Sequence, residues 1–424
     1  MLDIKFIKEN KDFVIERLQI KNFQSEEIVK KIVELDEERK KVQTNLNDTL
    51  SKSNKISKEI GFFFKNGKIK EANDKKKETS FLKERSKNLN QELVKIEKEL
   101  NFLLVQLPNL PHISVPAGKK PEDNIKIKEG GNFPNLQENS IPHWEIAKKY
   151  NLIDFELGNK LTGAGFPVYT GKGAKMQRAL ISFFIDEAEK LNYKEIMPPL
   201  MVNENSAFAT GQLPDKDGQM YKVTEDNLYL IPTAEVPVTN IYRNCILNSE
   251  DFPIKNVAYT PCFRREAGSY GKNVRGLNRL HQFDKVEIVQ ISNAEKSYDV
   301  LNEMVDYVES LIKKLELPYR ILKLCGGDMG FTSALTFDFE VFSASQEKWL
   351  EVSSVSNFEN YQANRLKLRY KEKNNKKTKL AHTLNGSALA LPRILAAILE
   401  NNQNENGIKI PKVLQKYTNF ELIF

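Results

Sequence analysis

The chain has 424 residues, 29% of them charged and 40% hydrophobic, which suits a soluble protein of two domains and excludes a disordered or collagen-like chain. Lysine and arginine number 64 against 57 acids, a net charge of +7, so any contact with nucleic acid has to be local rather than histone-like. Three cysteines, Cys245, Cys262 and Cys325, form no C-x-x-C pair; they argue against a disulfide framework or a cysteine-based zinc site and fit a reducing cytoplasm.

The first ten residues carry Asp3, Lys5, Lys8 and Glu9, leave no apolar run for secretion, and read as a short amphipathic helix. From Ser25 to about Leu104 the chain has no proline, and apolar positions recur every seven residues. Ile28, Leu35, Val42, Thr49 and Ile56 form one series, and Ile32, Arg39, Leu46, Ser53 and Ile60 a second, offset by four. After a break at Gly61 and Asn66-Gly67, Leu82, Leu89, Ile96 and Leu103 recur at sevens with Leu93 and Leu100 between them. Two a/d seams with one break predict an antiparallel coiled-coil arm over about 26–104. Between Lys52 and Lys87 stand 12 basic residues and five acids, so 12 − 5 = +7 concentrates in the distal half. Such a run either solvates a helical hairpin or contacts an RNA backbone. Phe62, Phe63 and Phe64 either close the hairpin's end, the favoured reading, or offer exposed stacking faces.

Pro108, Pro111, Pro116 and Gly118 mark a boundary near 105–112, dividing the chain into 1–106 and 107–424. An amphipathic helix over Ala174 to Lys190 leads to a strand ending at Pro198-Pro199. Short β-rich stretches follow: 194–197, 221–223, 228–231, 257–263, 282–291, 336–342 and 347–355. They predict an α+β catalytic domain around an antiparallel sheet. No G-x-G-x-x-G or P-loop pattern follows a strand, so neither Rossmann nor Walker-type nucleotide binding has support. The longest apolar stretch, Ala388 to Leu399, contains Pro392 and Arg393 and is too short to span a membrane, which takes about 20 residues.

The segment Cys262-Phe-Arg264-Arg265-Glu266-Ala-Gly268-Ser-Tyr-Gly271, running on to Arg279-Leu280-His281-Gln282-Phe283 and Glu287, resembles motif 2 of class II aminoacyl-tRNA synthetases. Thr210-Gly-Gln-Leu-Pro214, Ile231-Pro-Thr233-Ala234-Glu235, Glu351-Val352-Ser353-Ser354 and Asn385-Gly-Ser387 resemble signature segments of the seryl-tRNA synthetase family, bacterial type, in the family's order. The resemblance extends over the whole chain, the arm included.

The resemblance implies roles for particular residues. Arg264 matches the motif 2 arginine that bridges the amino-acid carboxylate and the α-phosphate, and Arg393 the motif 3 arginine; both are the expected catalytic residues. Glu266, two positions beyond Arg264 and so on its face of the strand, matches the acid that accepts from the adenine amino group, while Phe283 matches the aromatic that stacks on the base. ATP contacts are expected from Arg264, Arg265, Glu266, Leu280, His281, Gln282, Phe283, Glu351, Val352, Ser353, Ser354 and Arg393. The side chains of Arg265 and His281 themselves read as structural. Glu351 and Ser354 resemble the Mg²⁺ ligands. Thr233, Ala234, Glu235, Arg264, Glu287 and Ser387 match the serine pocket. Pro392 replaces a glycine usual before the motif 3 arginine in bacterial members, and a helix over Pro392 to Glu400 accommodates it in the first turn.

The activity implied is ATP-dependent activation of L-serine to seryl-adenylate and transfer to tRNA(Ser), with charging of tRNA(Sec) left open. ATP and Mg²⁺, a homodimer joined through a segment that resembles motif 1, the Ala174–Lys190 helix with the following Ile196-Met-Pro198-Pro199 strand, and a cytoplasmic location come with it. Two rivals are a synthetase-derived RNA-binding protein, which should lack Arg264, Glu266 or Arg393, and a carrier-protein aminoacyl ligase, which should lack the basic arm.

Overall fold

The computed structural model describes residues 1–135, 140–266 and 275–424. The chain divides into two compact units, one of Met1–Gln19 and Phe23–Pro108, the other of Ile20–Asn22 and Asn109–Phe424.

In the first unit, α1 (Ile4–Glu9) and α2 (Lys11–Ile20) precede two long helices, α3 (Glu26–Lys65) and α4 (Ile69–Gln106), which pack as an antiparallel hairpin. Near the base the seam is apolar: Ile32, Leu35, Val42 and Leu46 bury against Leu93, Ile96, Leu100 and Leu104. Asp36, also buried, is paired there with Lys8 at 3.4 Å, Arg39 at 2.8 Å and Lys40 at 2.9 Å. Burial alone would raise its carboxyl; the hydrogen bonds from Arg39 and Lys40 outweigh that and hold it below the usual range. Towards the turn, small and hydroxyl side chains, Thr49, Ser53, Ala72 and Thr79, take many of the buried positions. Thr49 and Thr79 satisfy their hydroxyls on carbonyls four residues back, at 2.7 and 2.9 Å.

One expectation for the arm is corrected and one open alternative is decided. Gly61 does not break the first leg, which runs on to Lys65; one helical glycine costs only about 1 kcal/mol, which its neighbours absorb. The reversal falls at Asn66–Lys68, where Gly67 has φ +72°, a conformation glycine adopts at little cost. The phenylalanine cluster follows the second of its two readings, exposed faces rather than closure of the end. Phe62 is 64% and Phe64 43% exposed, with the Lys76 ammonium 4.6 Å from the Phe64 ring centre.

The second unit is built on an eight-stranded sheet. In chain order its strands are β1 (Ile125–Gly130), β2 (Lys194–Glu195), β3 (Ile254–Phe263), β4 (Gln282–Ser292), β5 (Tyr319–Lys323), β6 (Leu335–Ser343), β7 (Lys348–Asn357) and β8 (His382–Ala390). Across the sheet they run β1-β5-β6-β7-β8-β4-β3-β2. All neighbours are antiparallel except the parallel pair β2–β3. Helices α5 (His143–Lys149), α6 (Gly171–Glu189), α7 (Glu235–Asn240), α8 (Ser297–Lys314), α9 (Tyr361–Leu366) and α10 (Leu391–Asn401) flank it. Phe183 and Phe184 of α6, Met304 and Leu311 of α8, and Ile394 and Ile398 of α10 join the strands in one apolar core. α10 is buried along almost its whole length, which explains its membrane-like composition, and no helix among the described residues is long and apolar enough to cross a membrane.

The propensity reading omits three of these strands. β1 is an exposed edge that alternates isoleucine with lysine. β5 is only five residues long. β8 is centrally placed but rich in small and polar residues, and Gly386 lies where a Cβ would come within 3.0 Å of Val355; its neighbours, not its own propensity, make it a strand.

If the apolar half of the seam holds the arm together, Leu100→Ala should destabilise the hairpin by about 3 kcal/mol. Hydrogen exchange on the full chain should then show faster exchange across 26–106, with protection of the sheet unchanged.

Candidate active site

Residues placed by the β3–β4 ladder form the first part of the site. Phe283 lies across from Cys262, Lys285 from Thr260 and Glu287 from Ala258. Arg264 follows directly after β3; its amide donates to the His281 carbonyl at 2.9 Å, and its guanidinium sits 5.2 Å from the Phe283 ring centre. Its Nε reaches the Pro232 carbonyl at 3.4 Å, beside the Thr233–Glu235 segment. Because β3 ends at Phe263 and Glu266 has φ +48°, strand alternation does not decide which way Glu266 faces, contrary to expectation; Arg279 instead holds the Glu266 carboxylate by Oε2. Arg265 is exposed, its amide tied to the Gln219 carbonyl at 2.9 Å. Gly268 and Gly271 of the expected loop lie outside the described residues.

Arg393, in the first turn of α10 behind Pro392, donates from Nε to the Asn278 carbonyl at 3.0 Å and from a terminal nitrogen to the Glu351 carbonyl at 2.6 Å. Its guanidinium is also 3.8 Å from the Glu351 carboxylate. His281 is held by Tyr221, 3.0 Å from Nδ1, and stacks on Phe166 with ring centres 5.4 Å apart. Leu280 and Val352 are buried core side chains, and the Ser353 hydroxyl is spent on the Ser387 carbonyl at 2.6 Å. Of the expected ATP contacts, these four have side chains engaged in packing or structural hydrogen bonds, whereas Gln282 and Glu351 are exposed.

A buried polar pocket makes up the second part. Glu287 accepts from Asn385 at 2.8 Å and from the Ser387 hydroxyl at 3.2 Å. Lys285 Nζ stands 2.8 Å from Oε2, the oxygen that also takes Ser387, the Lys285 and Glu287 side chains being only 7% and 1% exposed. Glu235, at the start of α7, accepts from Gln362 Nε2 at 2.7 Å, and its amide donates to Thr233 Oγ1 at 3.2 Å. Thr383 donates to Gln362 Oε1 at 2.7 Å, which fixes the orientation of that amide. Gln362 also donates to the Thr210 carbonyl at 3.2 Å, tying the Thr210–Pro214 segment to the pocket. Burial, reinforced by the charge of Glu287, pushes the Glu235 carboxyl up to about 7, against the opposing pull of Gln362, Lys285 and Arg264.

Sequence reasoning assigned no role to Lys285, Gln362 or Asn385, although Asn385 opens one of the signature segments. A lysine two positions before a glutamate inside the apolar run Val286-Glu287-Ile288-Val289 was a usable signal, because alternation puts both on one face. Gln362 gave no local signal: it reaches Glu235 from 127 residues away.

Glu351 and Ser354 lie on β7, with Asp338 of β6 directly across from Ser354. The Asp338 Oδ1 atom is buried without a hydrogen-bond partner, and burial together with the charge of Glu351 pushes its carboxyl well above the usual range. These hard oxygen donors fit a divalent cation that draws further ligands from phosphate. Among the described residues no three His, Cys, Asp or Glu side chains cluster as a self-sufficient metal site.

Comparison with known proteins gives a consistent result. Residues 1–111 match the model described as the seryl-tRNA synthetase N-terminal domain, and residues 221–402 the tRNA synthetase class II core domain (G, H, P, S and T). The serine–tRNA ligase of Salinibacter ruber is 48% identical over 424 residues, covering 100% of this chain and 99% of the relative. A crystal structure of seryl-tRNA synthetase from Pyrococcus horikoshii complexed with ATP superposes with a TM-score of 0.92 at 33% identity, over 100% of this chain and 99% of that one. The cytoplasmic serine–tRNA ligase of Naegleria fowleri, in complex with AMP, gives 0.86 at 28% identity, over 100% and 98%.

The Lys285–Glu287 pair generates a stability prediction. Lys285→Met leaves a buried carboxylate without its cation and should cost about 3 kcal/mol in urea denaturation of the full chain. Adding Glu287→Gln should recover more than half. A loss below about 1 kcal/mol would show that the pair is not needed for folding.

Proposed function

This chain belongs to the seryl-tRNA synthetase family, and from that premise we propose how its residues divide the work of an ATP-dependent serine–tRNA ligase. The chain activates L-serine with ATP and passes the seryl group to tRNA(Ser); charging of tRNA(Sec) rests on the sequence resemblance alone. The observation that carries the reading is the Arg264 guanidinium lying over Phe283 and next to a buried pocket of two carboxylates.

In the first step a serine carboxylate oxygen bonds to the α-phosphorus of ATP, and the bond from that phosphorus to the pyrophosphate oxygen breaks. Serine enters with its carboxylate already ionised, so no general base is required. Arg264 draws the two anions together by donating to both, and its contacts strengthen as charge grows on the phosphoryl oxygens. Phe283 offers a stacking face for adenine, Arg393 covers the base's other side and reaches towards the terminal phosphates, and Glu266, held through Oε2 by Arg279, accepts from the adenine amino group. A bound Mg²⁺ neutralises charge on the leaving pyrophosphate; Glu351 and Ser354 would hold it. Glu235, Glu287, Thr233 and Ser387 select serine, because a pocket that hydrogen-bonds an ammonium and a hydroxyl leaves its own groups unpaired when an analogue lacks either. In the second step a terminal ribose hydroxyl of the tRNA attacks the acyl carbon and AMP departs.

The arm is read as the tRNA-binding element. Its distal half carries the +7 surplus, with Phe62, Phe64 and Phe81 exposed among the lysines. A homodimer is supported by exposed apolar residues just after edge strand β2: Met197 is 89%, Leu200 37% and Met201 46% accessible. The free cysteines fit a cytoplasmic enzyme.

Arg264→Ala should lower serine-dependent ATP–pyrophosphate exchange by at least about 100-fold while the circular-dichroism spectrum stays native; near-normal exchange by a folded variant would remove Arg264 from the clamp. Deleting residues 52–87 and rejoining the legs should spare exchange but weaken tRNA charging, and should flatten the salt dependence of charging, because fewer phosphate counterions are released. Undiminished charging by the shortened protein would return those lysines to solvated surface.

A further inference from the structure

Behind Arg393 lies a buried polar ring that takes no part in the chemistry above. His143 and Glu400 are both 0% exposed. The Leu277 amide points at His143 Nε2 from 2.8 Å, so Nε2 accepts and the ring proton sits on Nδ1, which donates to Glu400 Oε1 at 2.7 Å. The same oxygen takes the His143 amide at 2.9 Å and Gln346 Nε2 at 2.9 Å, and Oε2 takes the Ser343 hydroxyl. Burial would raise this carboxyl; the hydrogen bonds from His143 and Ser343 hold it below the usual range instead. With every donor satisfied, the imidazole has one tautomer and one orientation.

That fixed ring sets the backbone of Gly276–Asn278. Gly276 has φ +68°, and a Cβ on it would stand 2.2 Å from His143 Nε2, so only glycine fits against the imidazole. Asn278 donates from its side chain to Gln346 Oε1 at 2.9 Å, and its carbonyl is the acceptor for Arg393 Nε. Arg393 and Glu400 lie seven residues apart on α10, two turns along one face. The circuit therefore closes on itself, from Glu400 through His143, Leu277 and Asn278 to Arg393 and back along the helix.

We propose that His143 is a positioning residue for ATP: held by Glu400, it seats the Gly276–Asn278 backbone whose carbonyl aims the Arg393 guanidinium. The inference rests on the reading of Arg393 as an ATP-binding residue. In pyrophosphate exchange by the full-length enzyme, His143→Ala should raise the KM for ATP about tenfold and change the KM for serine less than twofold. Side-chain geometry provides a sharper test. Glutamine places a polar atom near the Nε2 position and can still accept from Leu277, whereas asparagine matches Nδ1 and serves only Glu400. His143→Gln should therefore restore ATP affinity better than His143→Asn.

An equal rise in both KM values, a lowered melting temperature with the KM for ATP unchanged, or better rescue by asparagine would overturn the proposal. If His143→Ala does not fold, Gln346→Ala, which cuts the links to Asn278 and Glu400, decides on the same two KM values. Calorimetric ATP binding by Arg393→Ala separates the two readings. Unchanged affinity there means that Arg393 is not an ATP ligand, whereas weakened affinity there, with His143→Ala silent, condemns the positioning role alone.

Discussion

A carboxylate taken out of water must be paired, or it gives up its charge. The second unit buries two of them close together, Glu235 and Glu287, and supplies one ammonium, Lys285, directly to Glu287. Much of the surrounding architecture answers to that constraint. β8 brings Asn385 and Ser387 to one oxygen set, α9 brings Gln362 to the other, and Thr383 locks Gln362 in place. Among the described residues Glu235 has hydrogen bonds but no direct cation, and burial with the charge of Glu287 pushes its carboxyl up to about 7. A ligand bearing an ammonium would complete this charge balance, and a hydroxyl would use the remaining acceptors, which is the physical basis for proposing this pocket as the serine site.

The two units solve different problems. The sheet needs rigid polar networks because small, highly charged ligands demand fixed partners. The arm keeps its apolar packing near the base, and at its far end buries hydroxyls while exposing Phe62, Phe64 and Phe81. That inversion leaves the distal half modestly packed and rich in cations and aromatic faces, a surface suited to a long polyanion rather than to a protein core.

How much of this could be read from the sequence depended on the range of the interactions. The hairpin was legible because heptads are local, and the Arg264–Phe283 region because its residues recur in a recognisable order. Strand alternation failed at Glu266, where the backbone leaves the strand and turns left-handed. Gln362, the His143–Glu400 pair and β8 were illegible for a common reason: Gln362 is defined by Glu235, 127 residues away, His143 by Glu400, 257 away, and β8 by neighbouring strands that place Ser387 beside Glu287, 100 away, and nothing in their own neighbourhoods announces it. At Phe62–Phe64 the sequence left closure and exposure both open and favoured closure, since apolar composition predicts burial, whereas the turn left Phe62 and Phe64 outside.

The claim that serine's ammonium completes a buried charge deficit at Glu235 is tested most directly by calorimetric titration of serine into the enzyme at pH 7, in buffers of different ionisation enthalpy. With its carboxyl pushed up to about 7, Glu235 is partly protonated before serine binds and ionised afterwards, so a measurable fraction of a proton should be released per site. Glu235→Gln should abolish that release. Serine binding by the unaltered enzyme with no proton released would contradict the account.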